Sequence, residues 1–329
     1  MAEAARPRAV IGGGSGFLGH ALAAGLRADG YDVAVIGRQG PDARWSDQAS
    51  VDRIVDGAAL VIGLAGKSVN CRYTDANRDE ILRSRIDTTR ALGDAIRAAE
   101  HPPAVWMNAS TATIYRYALD RAQTEDDTEV DGGFSPDVGR AWEAELFRGD
   151  LPATRRIALR TTIVIGPGAP VSDLLFRLAR LGVGGPQIDG WWFPHRRYRG
   201  IGLAPTEPPA PGYVRSRGRQ RFSWMHVDDF VDAVRFLRDH PGIAGPVNMS
   251  APTQVDNREL MAALRRIVRT PIGLPAWRFM LEPAMWVLRT ESELVLKSRW
   301  VAPAVLTRAG FAFRHPELEP ALRDVHARG

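Results

Sequence analysis

Short apolar runs and helical stripes take turns through the first half of the chain. Ala9–Ile11 is a short apolar run, and a helical pattern follows from about Gly16 to Ala28. Tyr31–Ile36 alternates and is β-branched, and Leu60–Leu64 is a continuous apolar run ending in Ala65-Gly66. Across 75–99, Ile81, Ile86, Leu92 and Ile96 mark one or two helices. Val105–Ala109 predicts a strand leading into Ser110-Thr111-Ala112-Thr113, Trp142–Phe147 belongs to a helix, and Arg156–Arg160 belongs to a strand. Strands without a polar face are covered on both sides. The rhythm therefore predicts an α/β fold with a doubly wound parallel sheet, its ligand crevice at the carboxyl ends of the strands.

The pattern changes after about Gly166. A helix is expected at Leu174–Leu181, followed by G-V-G-G-P. Residues 186–221 are rich in Pro, Gly, Arg and Trp and show no periodicity. Helices return at Val227–Arg238, Arg258–Val268 and Trp277–Leu296, with a short one at Leu318–His326. This gives a dinucleotide-binding domain over 1–185, an inserted loop or lid over 186–221, and a smaller, mostly helical substrate-side region over 222–329. Some segments of that last region are free to pack back on the first domain.

The domain assignment rests on V-I-G-G-G-S-G-F-L-G at residues 10–19. Gly13, Gly16 and Gly19 follow a strand and open a helix. Glycines let the backbone approach a pyrophosphate closely, and the helix aims its unpaired N–H groups at the phosphate charge. The placement makes the sheet Rossmann-like, although the first glycine gap is wider than in G-x-G-x-x-G. The second strand ends in Gly37-Arg38 rather than in an acidic residue. An acid there accepts from ribose hydroxyls, whereas an arginine forks onto a 2′-phosphate. That favours NADP(H) over NAD(H); a solvated loop cation is the plainer reading of Arg38.

Composition narrows the classes. Net charge is only +5, 43 Lys+Arg against 38 Asp+Glu, and the basic residues are scattered, which argues against nucleic acid as a partner. A single cysteine, Cys71, excludes an internal disulfide and fits a reducing, cytoplasmic setting. M-A-E-A-A-R-P-R offers no apolar signal region, and no 18-residue uncharged apolar run exists, so no stable membrane insertion is expected. Leu274–Leu288 is apolar but carries Arg278 and Glu282, which suits packing within the domain or against a partner, with a homodimer in view. His226, Asp228 and Cys71 form no metal-ligand spacing, so no metal is expected. G-x-S-x-G and G-K-[ST] motifs are absent.

Read together, G-G-G-S-G-F-L-G, V-I-G-L-A-G-K-S-V, R-S-R-I-D-T-T-R-A-L and N-A-S-T-A-T-I-Y resemble the extended, epimerase-like branch of the short-chain dehydrogenase/reductase superfamily. A-W-E, L-R-T-T-I-V-I-G, G-R-Q-R-F-S-W-M-H-V-D-D-F and V-A-P-A-V-L-T-R-A-G-F-A-F-R-H-P-E-L-E-P-A-L narrow this. The chain is similar to SDR39U-type epimerase/dehydratase-like proteins, which carry a small C-terminal domain of unknown function. The resemblance spans nearly the whole chain. It implies an NADP(H)-binding oxidoreductase or epimerase acting on a small carbonyl, sugar or nucleotide-sugar. A non-catalytic NADP(H)-responsive sensor or scaffold is the alternative.

By the same resemblance, Gly13, Gly16 and Gly19, with the backbone of Phe17 and Leu18, hold the pyrophosphate. Arg38 accompanies the NADP phosphate, Leu64, Ala65 and Gly66 pass beside the cofactor, and Thr161, Thr162 and Ile163 face its nicotinamide end. Relatives that interconvert a carbinol and a carbonyl use Ser/Thr, Tyr and Lys. Thr111 matches the hydroxyl, beside Ser110 and Thr113, although strand-end capping explains such a cluster equally well. The Tyr-x-x-x-Lys pair is missing, its places being taken by Ser135 and Gly139. Tyr115 and Tyr117 are the nearest tyrosines in sequence, Arg140 is the nearby cation, and Tyr115 or an ordered water is the expected proton relay. On the substrate side, alternation puts Trp224, His226 and Asp228 on one strand face, either toward a ligand or as a buried histidine satisfied by Asp228 or Asp229. Arg85, in I-L-R-S-R-I with Arg83 and Ser84, either faces the site mouth or is an exposed helix cation. Residues 188–217 are expected to cover the crevice, with a dimer arm as the other reading.

Overall fold

The computed structural model describes residues 6–129, 132–190, 192, 200–201 and 216–329. The expected cover over 188–217 falls mostly on positions outside this set. In chain order the first half runs β1 (Arg8–Gly12), α1 (Phe17–Ala28), β2 (Asp32–Gly37), β3 (Ala43–Arg44), α2 (Gln48–Val55), β4 (Leu60–Gly63), α3 (Asp75–Ala98), β5 (Val105–Thr111), α4 (Phe134–Leu146) and β6 (Arg155–Thr161). The second half runs β7 (Ile163–Ile165), α5 (Pro170–Arg180), β8 (Gln187–Ile188), β9 (Arg221–Phe222), β10 (Trp224–His226), α6 (Val227–Asp239), β11 (Gly245–Met249), β12 (Val255–Asp256), α7 (Asn257–Val268) and β13 (Ala276–Trp277). The chain ends with α8 (Arg278–Val287), α9 (Glu293–Leu296), α10 (Ala304–Arg308) and α11 (Leu318–Arg328).

Seven strands form one sheet in the order β3-β2-β1-β4-β5-β6-β11. Every neighbouring pair is parallel. The period-2 pleat sends alternate side chains to opposite faces. Ala9 and Ile11 join Leu22 and Leu26 of α1 and Phe230 and Val234 of α6 on one side. Val10 joins Val51 and Ile54 of α2 and Leu92 and Ile96 of α3 on the other. Each such buried Val, Leu, Ile or Phe side chain stabilises the fold by about 2 kcal/mol. The chain steps outward from β1 to β2, then crosses back to β4. The order therefore reverses between β1 and β4, where a parallel sheet opens a crevice at its carboxyl edge. A third core, around Ile165, Phe176, Trp224, Leu264 and Leu322, joins α5, α7 and α11.

Two segments differ from expectation. The strand Gly245–Met249 carries Pro246, which hides it as a strand; it lies at the sheet edge beside β6, where a missing N–H costs little. It closes the main sheet, so this part of 222–329 packs with the first domain. The apolar stretch Trp277–Leu296 is not one helix. It breaks at Arg289, whose φ is 55°. The next residues turn inward: Arg72 donates to Thr290 O at 2.9 Å, and the buried Glu291 carboxylate accepts from Tyr73 N–H at 2.8 Å. No described helix is long and apolar enough to cross a membrane.

Candidate functional site

The crevice is lined by backbone at the β1–α1 turn. Gly13 has a φ of 84°, in the left-handed region, and a Cβ there would meet Ala65 N at 2.8 Å. Only glycine allows β1 and the β4 loop to approach this closely. Leu64 N–H donates to Gly12 O at 2.7 Å and fixes that loop in place. At Gly19 a Cβ would lie 2.6 Å from Gly14 Cα, so the third glycine lets α1 sit tightly on the turn. Gly16 is the N-cap of α1, with no side-chain cap and no acidic residue in the first turn. A Cβ on it would meet nothing nearer than Gly13 O at 3.8 Å. The leading N–H groups of α1, including those of Phe17 and Leu18, thus face an open, electropositive place suited to phosphate. The Phe17 ring packs instead toward Gly166 and Val227, and Leu18 packs on the sheet core.

Around this cradle, Arg38 follows β2, is exposed, and has no ion-pair partner among the described residues. Gly66 lies against the Arg85 side chain, 3.2 Å from a hypothetical Cβ. Arg85 donates to Lys67 O and Ile81 O at 3.0 and 2.9 Å and lies over the Trp142 ring. Burial pulls its guanidinium down to about 10, which leaves it charged at neutral pH. It braces the β4–α3 loop. Thr161 and Thr162 donate their hydroxyls to Leu159 O and Met249 O, so they shape the β6–β7 turn, and Ile163 packs on the third core.

The neighbouring end of the crevice is closed by side chains. Ser110 donates to Glu143 at 2.6 Å, and Glu143 pairs bidentately with Arg160 at 2.8 Å through both oxygens. Arg160 also donates to the Tyr115 hydroxyl at 2.8 Å, which donates to Asn248 Oδ1 at 2.9 Å. Burial favours deprotonation of Arg160, but the Glu143 bonds and charge outweigh it and hold the group firmly cationic. Burial pushes Tyr115 up. Thr111, half-buried at the end of β5, accepts from Thr113 N–H at 3.1 Å, and its hydroxyl meets that of Thr113 at 3.0 Å. Gly139 of α4 packs against it so closely that a Cβ would lie 2.9 Å from Thr111 Cγ2.

The profile of the NAD dependent epimerase/dehydratase family matches residues 9–136, and a domain of unknown function, DUF1731, matches residues 278–325. An epimerase family protein of Mycobacterium leprae is 30% identical over 331 residues, covering 98% of this chain and 97% of that protein. The chain belongs to the epimerase family. SDR39U1 of Mus musculus is 28% identical over 326 residues, covering 97% of this chain and all of the mouse protein (100%), which places this family member in the SDR39U-type branch. The crystal structure of human SDR39U1 with NADPH superposes with a TM-score of 0.81 at 25% identity, covering 97% of this chain and 99% of that one.

Within this epimerase-family protein several expected side chains are buried or already committed to protein partners. Tyr115 is 1% exposed and its hydroxyl is held on both sides, so it is corrected from proton relay to buried strut. Ser110 is likewise committed to Glu143. Trp224 is fully buried in the third core, its indole N–H donating to Thr253 O at 3.0 Å. His226 is fully buried and caps α6, its Nδ1 accepting from Asp228 N–H at 3.2 Å. Of Arg85, Trp224 and His226, only Arg85 lies beside the glycine turn, against Gly66 of the β4–α3 loop. Glu143 was visible in A-W-E without a role; its partner Arg160 sits on another strand, and only the fold joins them. Spacing also missed a second gathering. His226, Asp228, His315 and Asp324 bring ligand-type atoms within 4.8 Å of one another. Burial and the neighbouring His315 lower His226 to about 4, so its ring is neutral near pH 7.

Proposed function

We propose that this protein binds NADP(H) across the β1–β4 crevice and acts as an oxidoreductase or epimerase on a small carbonyl, sugar or nucleotide-sugar. The carrying observation is the glycine cradle: Gly13 leaves no room for a Cβ in front of an uncapped α1. Human SDR39U1 crystallised with NADPH supports the same ligand here. The backbone of Gly16–Gly19 holds the pyrophosphate, Arg38 takes the 2′-phosphate, and Leu64–Gly66 flank the ribose. The cofactor supplies or accepts a hydride. Thr111 orients the substrate oxygen, and a water moves the proton, because Tyr115 is closed off in its network. Calorimetric titration with NADPH and NADH tests the binding. NADPH is expected to bind more tightly, and Arg38→Ala to weaken it about ten-fold while leaving NADH unchanged. Equal affinities, or an Arg38→Ala variant indistinguishable from the parent, reject the preference. A screen of carbonyls and nucleotide-sugars, read by cofactor absorbance and product analysis, tests the chemistry. Turnover that survives Thr111→Val unchanged removes Thr111 from it.

A second reading, a non-catalytic NADP(H)-responsive scaffold, draws on two observations. The places of the family Tyr and Lys are held by Ser135 and Gly139, and Gly139 is pressed against Thr111. Phe279, Trp286 and Val287 of α8 are 63%, 68% and 71% exposed, an apolar face suited to association. Mass and pull-down measurements with and without NADPH discriminate: partners or mass that follow the cofactor support this reading, and unchanged ones reject it.

A further inference from the structure

Two stretches about 90 residues apart in sequence converge where α6 begins. His226 ends β10 and caps α6, Asp228 lies in the first turn of α6, His315 sits on the strap before α11, and Asp324 lies on α11. The His226 and His315 rings are 3.9 Å apart. His226 Nε2 lies 3.3 Å from Asp324 Oδ2, and His315 Nε2 lies 3.8 Å from Asp228 Oδ2. The strap is held in place independently: Asp229 accepts from the backbone N–H groups of Arg314 and His315 at 2.7 and 3.0 Å.

We propose that His226, His315, Asp228 and Asp324 form a binding site for a divalent transition ion of the zinc type, which clips α11 to the start of α6.

Two imidazoles with two carboxylates are a donor set for zinc rather than for magnesium or calcium, which take oxygen ligands. The four ligand atoms lie within 4.8 Å of one another, and a tetrahedral shell at about 2 Å ligand distance spans about 3.3 Å between ligands, so the side chains must draw in to close it. An independent sign is that His226 Nε2 is fully buried, directed at this cluster, and makes no hydrogen bond. Asp324 Oδ2, 3.3 Å away, offers it no well-aligned hydrogen bond, and a metal would supply the missing partner.

Charge points the same way. Arg328 NH1 now bridges Asp228 and Asp324 at 2.7 and 2.9 Å. The two carboxylates outnumber the single guanidinium they share. A divalent ion in place of the guanidinium balances both carboxylates. Arg328 is 47% exposed on the last turn of α11 and can swing away. The cleft of about 420 Å³ beside it, bounded by Phe17, His20, Asp228, Arg314 and Arg328, gives an entry path. Ligation through Nε2 moves the His226 proton to Nδ1. That surrenders the cap bond from Asp228 N–H.

The test uses the full chain stripped with EDTA and titrated with Co2+, then Zn2+. One equivalent of Co2+ is expected to give the intense visible bands of a four-coordinate ion, which Zn2+ abolishes while raising Tm. Asp324→Asn and His315→Gln should each weaken Zn2+ by at least about 100-fold, the upper end of what losing an outer-shell partner costs. Arg328→Ala should tighten it by removing the resident cation. Far-UV circular dichroism and NADPH titration establish that each variant is folded. Failure to take up one equivalent overturns the proposal. So does uptake unaffected by Asp324→Asn and His315→Gln, which assigns the ion to other histidines among the seven or to Cys71. An Arg328→Ala variant that binds no more tightly overturns the exchange.

Discussion

The two ends of the crevice are built from different materials. At Gly13–Gly19 the walls are backbone, the side chains are absent or turned away, and the N–H groups face open space. At Thr111 and Gly139 the walls are side chains, and most of their polar atoms already satisfy one another through Ser110, Glu143, Arg160, Tyr115 and Asn248. A cradle of the first kind is ready for an anion and tolerates change in what surrounds it. A network of the second kind contributes stability and offers little to a substrate. The difference teaches where function and where folding should respond to substitution.

The largest effect should fall on the closed network. Glu143→Ala leaves Arg160, whose side chain is 11% exposed, as a buried charge without its carboxylate. Stability should fall by about 3 kcal/mol in denaturant unfolding, with NADPH affinity of the folded fraction unchanged. Loss of cofactor affinity with stability intact would invert the comparison. Next comes the cradle. Gly13→Ala meets a positive φ and the Ala65 backbone together, so the loop must shift. The left-handed conformation alone costs about 1–2 kcal/mol, and calorimetry should show NADPH binding weakened by more than ten-fold. An alanine tolerated in both stability and affinity would mean that the two loops do not define the phosphate site. The smallest effect sharpens the contrast. Tyr115→Phe removes one hydroxyl from the network and should cost about 1–2 kcal/mol of stability. Any turnover found in the substrate screen should be retained. A selective loss of turnover at unchanged Tm would return Tyr115 to the chemistry.

The cradle was legible because its chemistry is local. Three glycines, the strand before them and the helix after them lie within residues 9–28, and the cationic end of β2 follows directly. The closed network was not legible, since Glu143 and Arg160 meet across α4 and β6, and Tyr115 meets Asn248 across 133 positions. Trp224 and His226 alternate as a ligand-facing strand would, yet β10 pairs with β7 under α6 and both side chains are interior. Period-2 alternation separates two faces without saying which is wet. The same limit applied at Trp277–Leu296, where an apolar run read as one helix is cut by hydrogen bonds from Arg72 and Tyr73.

By itself the sequence determined the parallel α/β sheet, the glycine turn that opens α1, the cation after β2 and the family, because each follows from short-range periodicity, glycine backbone freedom or ordered motifs. Tertiary structure alone decided which polar side chains reach the crevice. It buried Tyr115, Trp224 and His226, left Thr111 beside Gly139, and drew His315 and Asp324 to His226 from about 90 residues away. Burial and long-range pairing depend on how helices and strands pack, and that packing minimises the exposed apolar area of the whole chain rather than of any one segment.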